Sequence, residues 1–316
     1  MRILVTGCAG FLGFHLAERL LADGHEVVGV DNFASGQRRN AEDLQRRPRF
    51  RFIEHDIAVP LTLDARCDQI YNLACPASPI DFATKPLEIL NVCSRGVWNL
   101  LDLARQWRAR LLQTSTSEVY GDPAVHPQPE SYWGHVNPIG PRSCYDEGKR
   151  FAEALLTAYV ATHGVEVRIV RIFNTYGPRM RLDDGRAVTN FIDAALAGRP
   201  LDVYGDGSQT RSFCFASDQI EGQMRLMNSA VTGPVNIGNP EEISLLDLAR
   251  EVVRLTKSRS EIRFVPGMKD DPKVRRPDIT RAQRELGWRP QVSRAAGLEE
   301  TIAWCVAQRA EPRAAR

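Results

Sequence analysis

Apolar positions in the first half of the chain switch repeatedly between a period of two and a period of four. Arg2–Thr6 is a short apolar run that leads straight into Thr-Gly-Cys-Ala-Gly-Phe-Leu-Gly at 6–13. Leu12, Leu16 and Leu20 then form one stripe, the signature of an amphipathic helix, and Gly24 stands where such a helix stops. Glu26–Asp31 reads as a second strand ending in an acid. Further strands are predicted at Phe50–Glu54, Gln69–Ala74, Leu111–Ser115 and Val165–Ile172, with helices at about 87–108 and 145–163. Strands alternating with helices predict an α/β fold, a doubly wound parallel sheet covered on both faces.

The segment 121–142 interrupts this rhythm. It is long and holds Pro123, Pro127, Pro129, Pro138 and Pro141, and a structureless loop of that length inside a compact domain is usually functional. After Asn174 the texture changes. Gly177-Pro178 and Asp184-Gly185 mark loops, a helix is predicted over about 188–198, and a strand at Leu201–Tyr204 meets the turn Gly-Asp-Gly at 205–207. Ser217 and Ser244 are placed as N-caps of later helices. The tail from Ala310 to Arg316 is expected to fray.

A chain of 316 residues is long enough for about two domains and a substantial core. With 43% apolar and 25% charged residues and a net charge of +2, it gives no reason to expect a nucleic-acid or membrane-surface partner. Arg38-Arg39 and Arg46-Arg47 read as solvated faces. The seven cysteines (8, 67, 75, 93, 144, 214 and 305) are odd in number and form no Cys-x-x-Cys pair. They read as small buried hydrophobes in a reducing compartment. The six histidines show no metal-ligand spacing, so no metal is expected. A strand beginning at Arg2 leaves no room for a signal peptide, and no apolar run approaches the ~20 residues of a membrane span, so a cytoplasmic protein is expected.

Gly7, Gly10 and Gly13 are spaced three apart between a strand and a helix. That is the setting of a dinucleotide-binding turn in a Rossmann-type sheet, where glycines permit the tight turn, the close approach of backbone to pyrophosphate and the packing of helix on sheet. Phe11, Leu12, Asn32, Phe33, Ser35 and Gly36 belong to the same turns. Asp31, 18 residues past Gly13, is placed to accept hydrogen bonds from ribose hydroxyls. A carboxylate there would repel a 2′-phosphate, which favours NAD over NADP; Arg38 and Arg39 pull weakly the other way. Asp56, Ile57, Leu73, Ala74, Cys75 and Thr114, at the ends of later strands, are expected to complete the NAD site. The plainer reading of Asp56, Leu73 and Ala74 is strand termini with no ligand.

The chemistry concentrates between Thr114 and Lys149. Tyr145 and Lys149 are four residues apart, one turn on the same face of a helix. A free tyrosine has a pKa of about 10, and a neighbouring ammonium stabilises the phenolate. Bringing that value near 7 takes roughly 4 kcal/mol, which Lys149 and a cationic nicotinamide together could supply. The result is a base that takes a proton from a sugar hydroxyl while hydride leaves the same carbon. A Tyr-x-x-x-Lys spacing alone is common. The cluster Thr116, Ser117 and Glu118 upstream and the N-terminal glycine turn set this one apart. A dehydratase needs an acid for the departing hydroxyl, and Ser117 is a poor one. A 4-epimerase needs only room for the keto sugar to turn over. A decarboxylase needs carbon 4 of a uronic acid oxidised; the β-keto acid then loses carbon dioxide through an enolate, is protonated at carbon 5 and recovers hydride at carbon 4. Thr116 and Ser117 to hold the ketone, with Glu118 to organise a water, suit that requirement best.

The run Thr-Ser-Glu-Val-Tyr-Gly-Asp-Pro at 116–123 resembles the UDP-glucuronic acid decarboxylase (UDP-xylose synthase) family of extended short-chain dehydrogenases/reductases. So do His126-Pro127, Tyr-Trp-Gly-His-Val-Asn-Pro-Ile-Gly-Pro-Arg at 132–142, Arg-Ile-Phe-Asn-Thr-Tyr-Gly-Pro-Arg-Met at 171–180, Gly-Ser-Gln-Thr-Arg-Ser-Phe at 207–213 and Asp-Asp-Pro-Lys-Val-Arg-Arg-Pro-Asp-Ile at 270–279. The resemblance spans essentially the whole chain. It implies that Thr116 holds the reacting oxygen, that Tyr145 is the base and that Lys149 supports it. It further implies that Glu118 and Arg275 flank the carboxylate and the reprotonated carbon, and that Asn174, Arg186, Tyr204 and Arg211 bind the UDP-sugar. Arginine suits a diphosphate through its planar, bidentate donors. Implied too are an NAD-binding unit of residues 1–173 plus about 213–239 and a smaller C-terminal α/β unit, 174–212 plus 240–316, for the nucleotide sugar. A homodimer is expected through the helices at 87–108 and 145–163, with Leu100, Leu101, Leu103, Ala104, Leu155, Leu156 and Tyr159 as its apolar surface.

Two departures stand out. Asn91 and Cys93 occupy places where the family usually has a lysine and an asparagine, and Phe82 replaces a usual tyrosine. Either another cation, such as Arg275, meets the sugar carboxylate alone, or the preferred uronic acid differs. The competing readings are a UDP-hexuronate 4-epimerase, which would release no carbon dioxide, and a non-catalytic NAD-binding sensor, which would be expected to have lost Tyr145, Lys149 or Thr116.

Overall fold

The computed structural model describes residues 1–267 and 274–310. The 270–273 part of the motif at 270–279, and the tail beyond Ala310, lie outside the described residues. Strands β1 (Arg2–Thr6), β2 (Glu26–Asp31), β3 (Phe50–Glu54), β4 (Gln69–Asn72), β5 (Arg110–Thr116) and β6 (Val167–Ile172) join Pro234–Ile237 in a seven-stranded sheet. Its order is 234–237, β6, β5, β4, β1, β2, β3, and every pairing is parallel. Successive side chains of β1 part to opposite faces, as the strand period requires. Ile3 and Val5 enter a core shared with helix α1 (Phe11–Ala22) and the helix Ala216–Met227, while Leu4 enters the opposite one. The chain order reverses between β1 and β4, which opens a crevice at the carboxyl ends of those strands.

Helix α2 (Arg38–Gln45) follows β2. The helix expected over 87–108 is built in pieces. Helix α3 (Pro79–Thr84) and helix α4 (Pro86–Asn91) each begin on a proline, and a π-helical turn at Val92–Gly96 then leads into α5 (Val97–Trp107). Gly96 packs where a β-carbon would stand 2.9 Å from the Ile57 side chain, so any larger residue here would displace it. Helix α6 (Ser143–His163) ends on Gly164 in the left-handed region, φ +66°. Strand β4 stops at Asn72, short of the expected Ala74. The Asn72 side chain accepts from Thr6 at 2.7 Å and from the Ala74 amide at 3.2 Å, turning the chain out of the sheet.

Ser217 is not a cap. The strand Cys214–Phe215 runs straight into the helix at Ala216, with Phe215 at the cap position, so Ser217 falls in the first turn. Ser244 is a cap: its hydroxyl accepts from the Asp247 amide at 3.0 Å. Segment 121–142 carries no helix or named strand and is held by a bridge between Gly121 and His135.

In the C-terminal part, Leu201–Tyr204 pairs in parallel with Ile262–Val265, and Thr210–Ser212 pairs antiparallel with Glu242–Ser244. Helices Ala187–Leu196, Leu245–Thr256 and Arg294–Ala310 close a separate core around Phe191, Ile192, Leu248, Val252 and Leu298. The residues expected to form an interchain surface lie elsewhere. Leu100, Leu101, Ala104, Leu155, Leu156 and Tyr159 are buried, and Leu103 packs against the same core, because α5 and α6 turn that side onto the sheet. The apolar side chains these helices leave in solvent are Trp98, Phe151 and Val160, with Leu87 and Leu90 on α4. Among the described residues no helix is long and apolar enough to cross a membrane.

Candidate active site

One continuous cavity runs from the glycine turn after β1, past the ends of β4 and β5, to the C-terminal part. Its first wall is set by close packing. Gly7 has φ +72°, the Gly10 amide bonds the Gly7 carbonyl at 3.0 Å, and a β-carbon on Gly13 would stand 1.9 Å from that same carbonyl. Helix α1 therefore starts hard against the end of β1, and it carries no side-chain N-cap. Its orphan amides suit an anion. Phe11, Leu12, Asn32, Ser35, Gly36, Asp56, Ile57, Leu73, Ala74, Cys75 and Thr114 line the same stretch.

Asp31 also lines it, and its two oxygens accept from the Ala9 amide at 3.0 Å and the Phe33 amide at 2.8 Å. Burial raises its pKa above the ordinary carboxyl value, while these two bonds favour the anion. Phe33 itself does not line the cavity. Its ring tilts against Phe52 at 5.3 Å, with the Arg38 guanidinium 4.3 Å above it, so that arginine is spent on the outer side of the turn. These features fit a dinucleotide: a cradle that a β-carbon would fill, an uncapped helix start, and a buried Thr114 hydroxyl with no protein partner.

The second wall comes from β5, the short 3₁₀ turn Ser117–Tyr120 and α6. Thr116 caps that turn by accepting from the Glu118 amide at 3.2 Å. Tyr145 lies in the first turn of α6, bonds Thr116 and stacks on Phe82 with ring centres 4.8 Å apart. Lys149, one turn on, donates to the Thr114 carbonyl at 2.9 Å and sits 5.7 Å from the Tyr145 ring centre. The expected lowering of the Tyr145 pKa does not occur in the protein alone. Burial dominates and pushes the phenol up to about 12, against the pull of Lys149. Lys149 is itself raised; its burial is outweighed by neighbours that include Cys75 and Tyr145.

Glu118 is clamped between two guanidiniums. Arg142 donates to Oε2 at 2.6 Å and Arg275 to the same oxygen at 3.3 Å. Burial works against its ionisation, but Arg275 and Arg142 outweigh that and hold the carboxyl down at about 2. Arg275, 2% exposed, also donates to the carbonyls of Ser117 and Gly121, which ties the far end of the fold to this turn. Ser117, Asn174, Arg186, Tyr204 and Arg211 complete the lining. Arg186 is anchored on the Ala77 carbonyl and on Asp184, whose pKa burial raises.

Sequence reasoning missed Arg142 and Asp184, which line the cavity as well. The signal for Arg142 was the count of three residues to Tyr145, which puts it at the N-cap of α6, facing Glu118. Asn91 also lines the cavity, whereas Cys93 is buried behind it.

A family profile described as GDP-mannose 4,6 dehydratase matches residues 4–301. UDP-glucuronic acid decarboxylase 1 of Danio rerio is 54% identical over 95% of this chain and 72% of its own length. UDP-glucuronic acid decarboxylase 5 of Arabidopsis thaliana is 53% identical over 94% of this chain and 87% of its own. Among solved structures, UDP-glucuronic acid 4-epimerase of Bacillus cereus, in complex with UDP-glucuronic acid and NAD, superposes with a TM-score of 0.87 at 29% identity, covering 98% of this chain and 100% of that one. A dTDP-glucose 4,6-dehydratase of Streptomyces venezuelae with NAD bound gives 0.89 at 30% identity, covering 98% of each. The fold is thus shared with an epimerase and a dehydratase at about 30% identity, while identity above 50% lies with the decarboxylases, and the chain belongs to the UDP-glucuronic acid decarboxylase family of extended short-chain dehydrogenases/reductases.

Proposed function

We propose that the protein converts UDP-glucuronate to UDP-xylose with NAD as a resident cofactor. The observation that carries this reading is the meeting, in one cavity, of the Tyr145–Lys149 pair with the Arg142–Glu118–Arg275 cluster. Relatives named as UDP-glucuronic acid decarboxylases support it. In this reading residues 1–173 with 213–239 hold NAD, and 174–212 with 240–316 hold the nucleotide sugar. Gly7, Gly10 and Gly13 take the pyrophosphate and Asp31 the adenosine ribose. Bound NAD supplies a hydride acceptor that later gives the hydride back to carbon 4.

Asn174, Arg186, Tyr204 and Arg211 hold the UDP portion and so fix the sugar against α6. Tyr145 takes the proton of the carbon 4 hydroxyl, Lys149 stabilises its phenolate, and Thr116 fixes the oxygen between them. Oxidation at carbon 4 makes a β-keto acid, and carbon dioxide leaves while Thr116 and Ser117 hold the enolate oxygen. Arg275 lies beside the departing carboxylate. Glu118 is held as an anion by its two arginines, so its role is to orient the water that delivers a proton to carbon 5. We further propose that the enzyme works in the cytoplasm as a homodimer. A nuclear magnetic resonance and mass time course with UDP-glucuronate and NAD tests the main reading: UDP-xylose and carbon dioxide are the expected products, and Tyr145→Phe forms neither. A six-carbon product that keeps its carboxylate, the 4-epimer, overturns it.

A further inference from the structure

Two thiols meet beside the cavity. Cys75 lies just beyond β4, half-buried, and lines the cavity. Cys93 lies in the π-helical turn behind it, 2% exposed. Their sulfurs are 3.7 Å apart. Cys93 also packs on α6, where a β-carbon on Gly148 would stand 3.2 Å from its own, between Tyr145 and Lys149 along that helix. At that distance one thiol hydrogen-bonds the other. The bond from Cys75 and the Lys149 cation hold Cys93 below the ordinary thiol value despite burial, and Cys75 is raised by that same bond and by burial. Two thiols in contact, one of them lining an open cavity, are placed to oxidise to a disulfide. Neither sulfur takes part in the chemistry assigned to Tyr145, Lys149 and Glu118.

We propose that Cys75 and Cys93 form an oxidative modification site, at which a peroxide entering through the substrate cavity converts the dithiol into a disulfide and closes the enzyme. The Cys75 sulfur gives up its proton and attacks hydrogen peroxide, the O–O bond breaks, the departing hydroxide takes that proton, and a sulfenic acid and one water form. The Cys93 sulfur then attacks that sulfenyl sulfur, the S–O bond breaks, and the hydroxide leaves as a second water with the remaining thiol proton. Two thiols lose two electrons and two protons, and one peroxide becomes two waters. A small dithiol reverses the change by exchange. Closing the sulfurs from 3.7 Å to a bond of about 2.05 Å draws the 73–77 loop toward the π turn. That loop carries the Ala77 carbonyl on which Arg186 is anchored, and Cys93 backs the turn of α6 that bears Tyr145 and Lys149. A shift of that size at reacting groups costs roughly a hundredfold in rate.

The inhibitory half rests on the decarboxylase reading; the chemical half does not, and the test separates them. The NAD-loaded protein is treated with hydrogen peroxide, alkylated, digested without reductant and mapped by mass spectrometry, with turnover of UDP-glucuronate measured before and after, and again after dithiothreitol. The expected result is a peptide linking Cys75 to Cys93 and a fall of about a hundredfold in rate that dithiothreitol restores. Cys93→Ser (Cys93→Ala if the serine variant does not fold) should form no such link and lose no activity that dithiothreitol restores. A link from Cys75 to Cys144 instead, sulfinic acid at Cys75 with no link, a link formed without loss of rate, or an equal reversible loss in the Cys93 variant would each overturn the proposal. A protein that makes no UDP-xylose before oxidation, yet forms the link, counts against the decarboxylase reading and leaves the modification site standing.

Discussion

At the scale of single residues, the role proposed for Glu118 joins chemistry to stability. Its carboxylate stands between Arg142 and Arg275, so Glu118→Gln keeps the shape and removes the charge. The expected result is a rate loss of about 10²–10⁴-fold in the steps after oxidation, with transient NADH still formed. A stability loss of about 3–5 kcal/mol should accompany it, because two cations lose their buried partner. The sign with pH follows from the lowered pKa. A carboxyl held at about 2 against an unfolded 4.5 contributes stability above pH 4.5 and loses it as pH falls toward 2. Melting curves of wild type and Glu118→Gln should therefore separate most near neutrality and converge in acid. Asp31 makes a second case. Because its oxygens hold the Ala9 and Phe33 amides, Asp31→Ala should both relax the preference for NAD over NADP and lower the Tm. Wild-type protein that binds NADP as tightly as NAD, measured by calorimetry, would remove the role given to Asp31.

At the scale of elements, the strands and the glycine turn were legible because both are written locally. Strands β1, β2 and β3 fall where the alternation placed them, since period two and flanking turn residues carry the whole signal. Tyr145, Lys149 and Glu118 were legible for a similar reason, a fixed spacing on one helix and one turn. What was not legible depends on contacts across the chain. The π turn at Val92–Gly96 exists against Ile57, the early stop of β4 depends on Thr6, and the high Tyr145 pKa is set by burial that no local pattern reports. Phe33 was assigned by neighbourhood alone, and a φ of +57° sends its ring away from the cavity toward Phe52. The glycine turn gives the sharpest prediction at this scale. Gly13→Ala places a methyl 1.9 Å from the Gly7 carbonyl, a backbone atom that cannot move aside as a side chain can. Overpacking of that kind costs about 1–3 kcal/mol, and here it also pushes α1 off the end of β1. The variant should lose NAD binding by more than it loses stability, checked by calorimetry against a thermal melt. Equal NAD affinity in a folded Gly13→Ala protein would mean the turn does not hold the cofactor.

At the scale of the whole molecule, the question is how the chain presents itself to a second copy. The apolar residues first chosen for that role are core, and their burial explains why α5 and α6 cover the sheet face so completely. The exposed set lies on α5, α6 and the adjoining α4: Leu87 is 75% exposed, Trp98 49%, Phe151 48%, Val160 42% and Leu90 41%. Five large apolar side chains on adjoining helices are more than a monomer usually leaves in water, and a two-fold pairing of α5 and α6 would bury them against their own copies. Trp98 is the residue to test. It packs edge-on against Tyr159 at 5.8 Å, so part of the indole is already fixed and little order is lost when a partner covers the rest. Trp98→Glu should leave the sheet and the cavity intact, since its exposed face touches neither, and should shift the mass by light scattering from two chains to one. Phe151→Glu should do the same from the other helix. A wild-type protein that scatters as a single chain at micromolar concentration, or a Trp98→Glu and Phe151→Glu double variant that still scatters as two, would place the interface elsewhere or remove it.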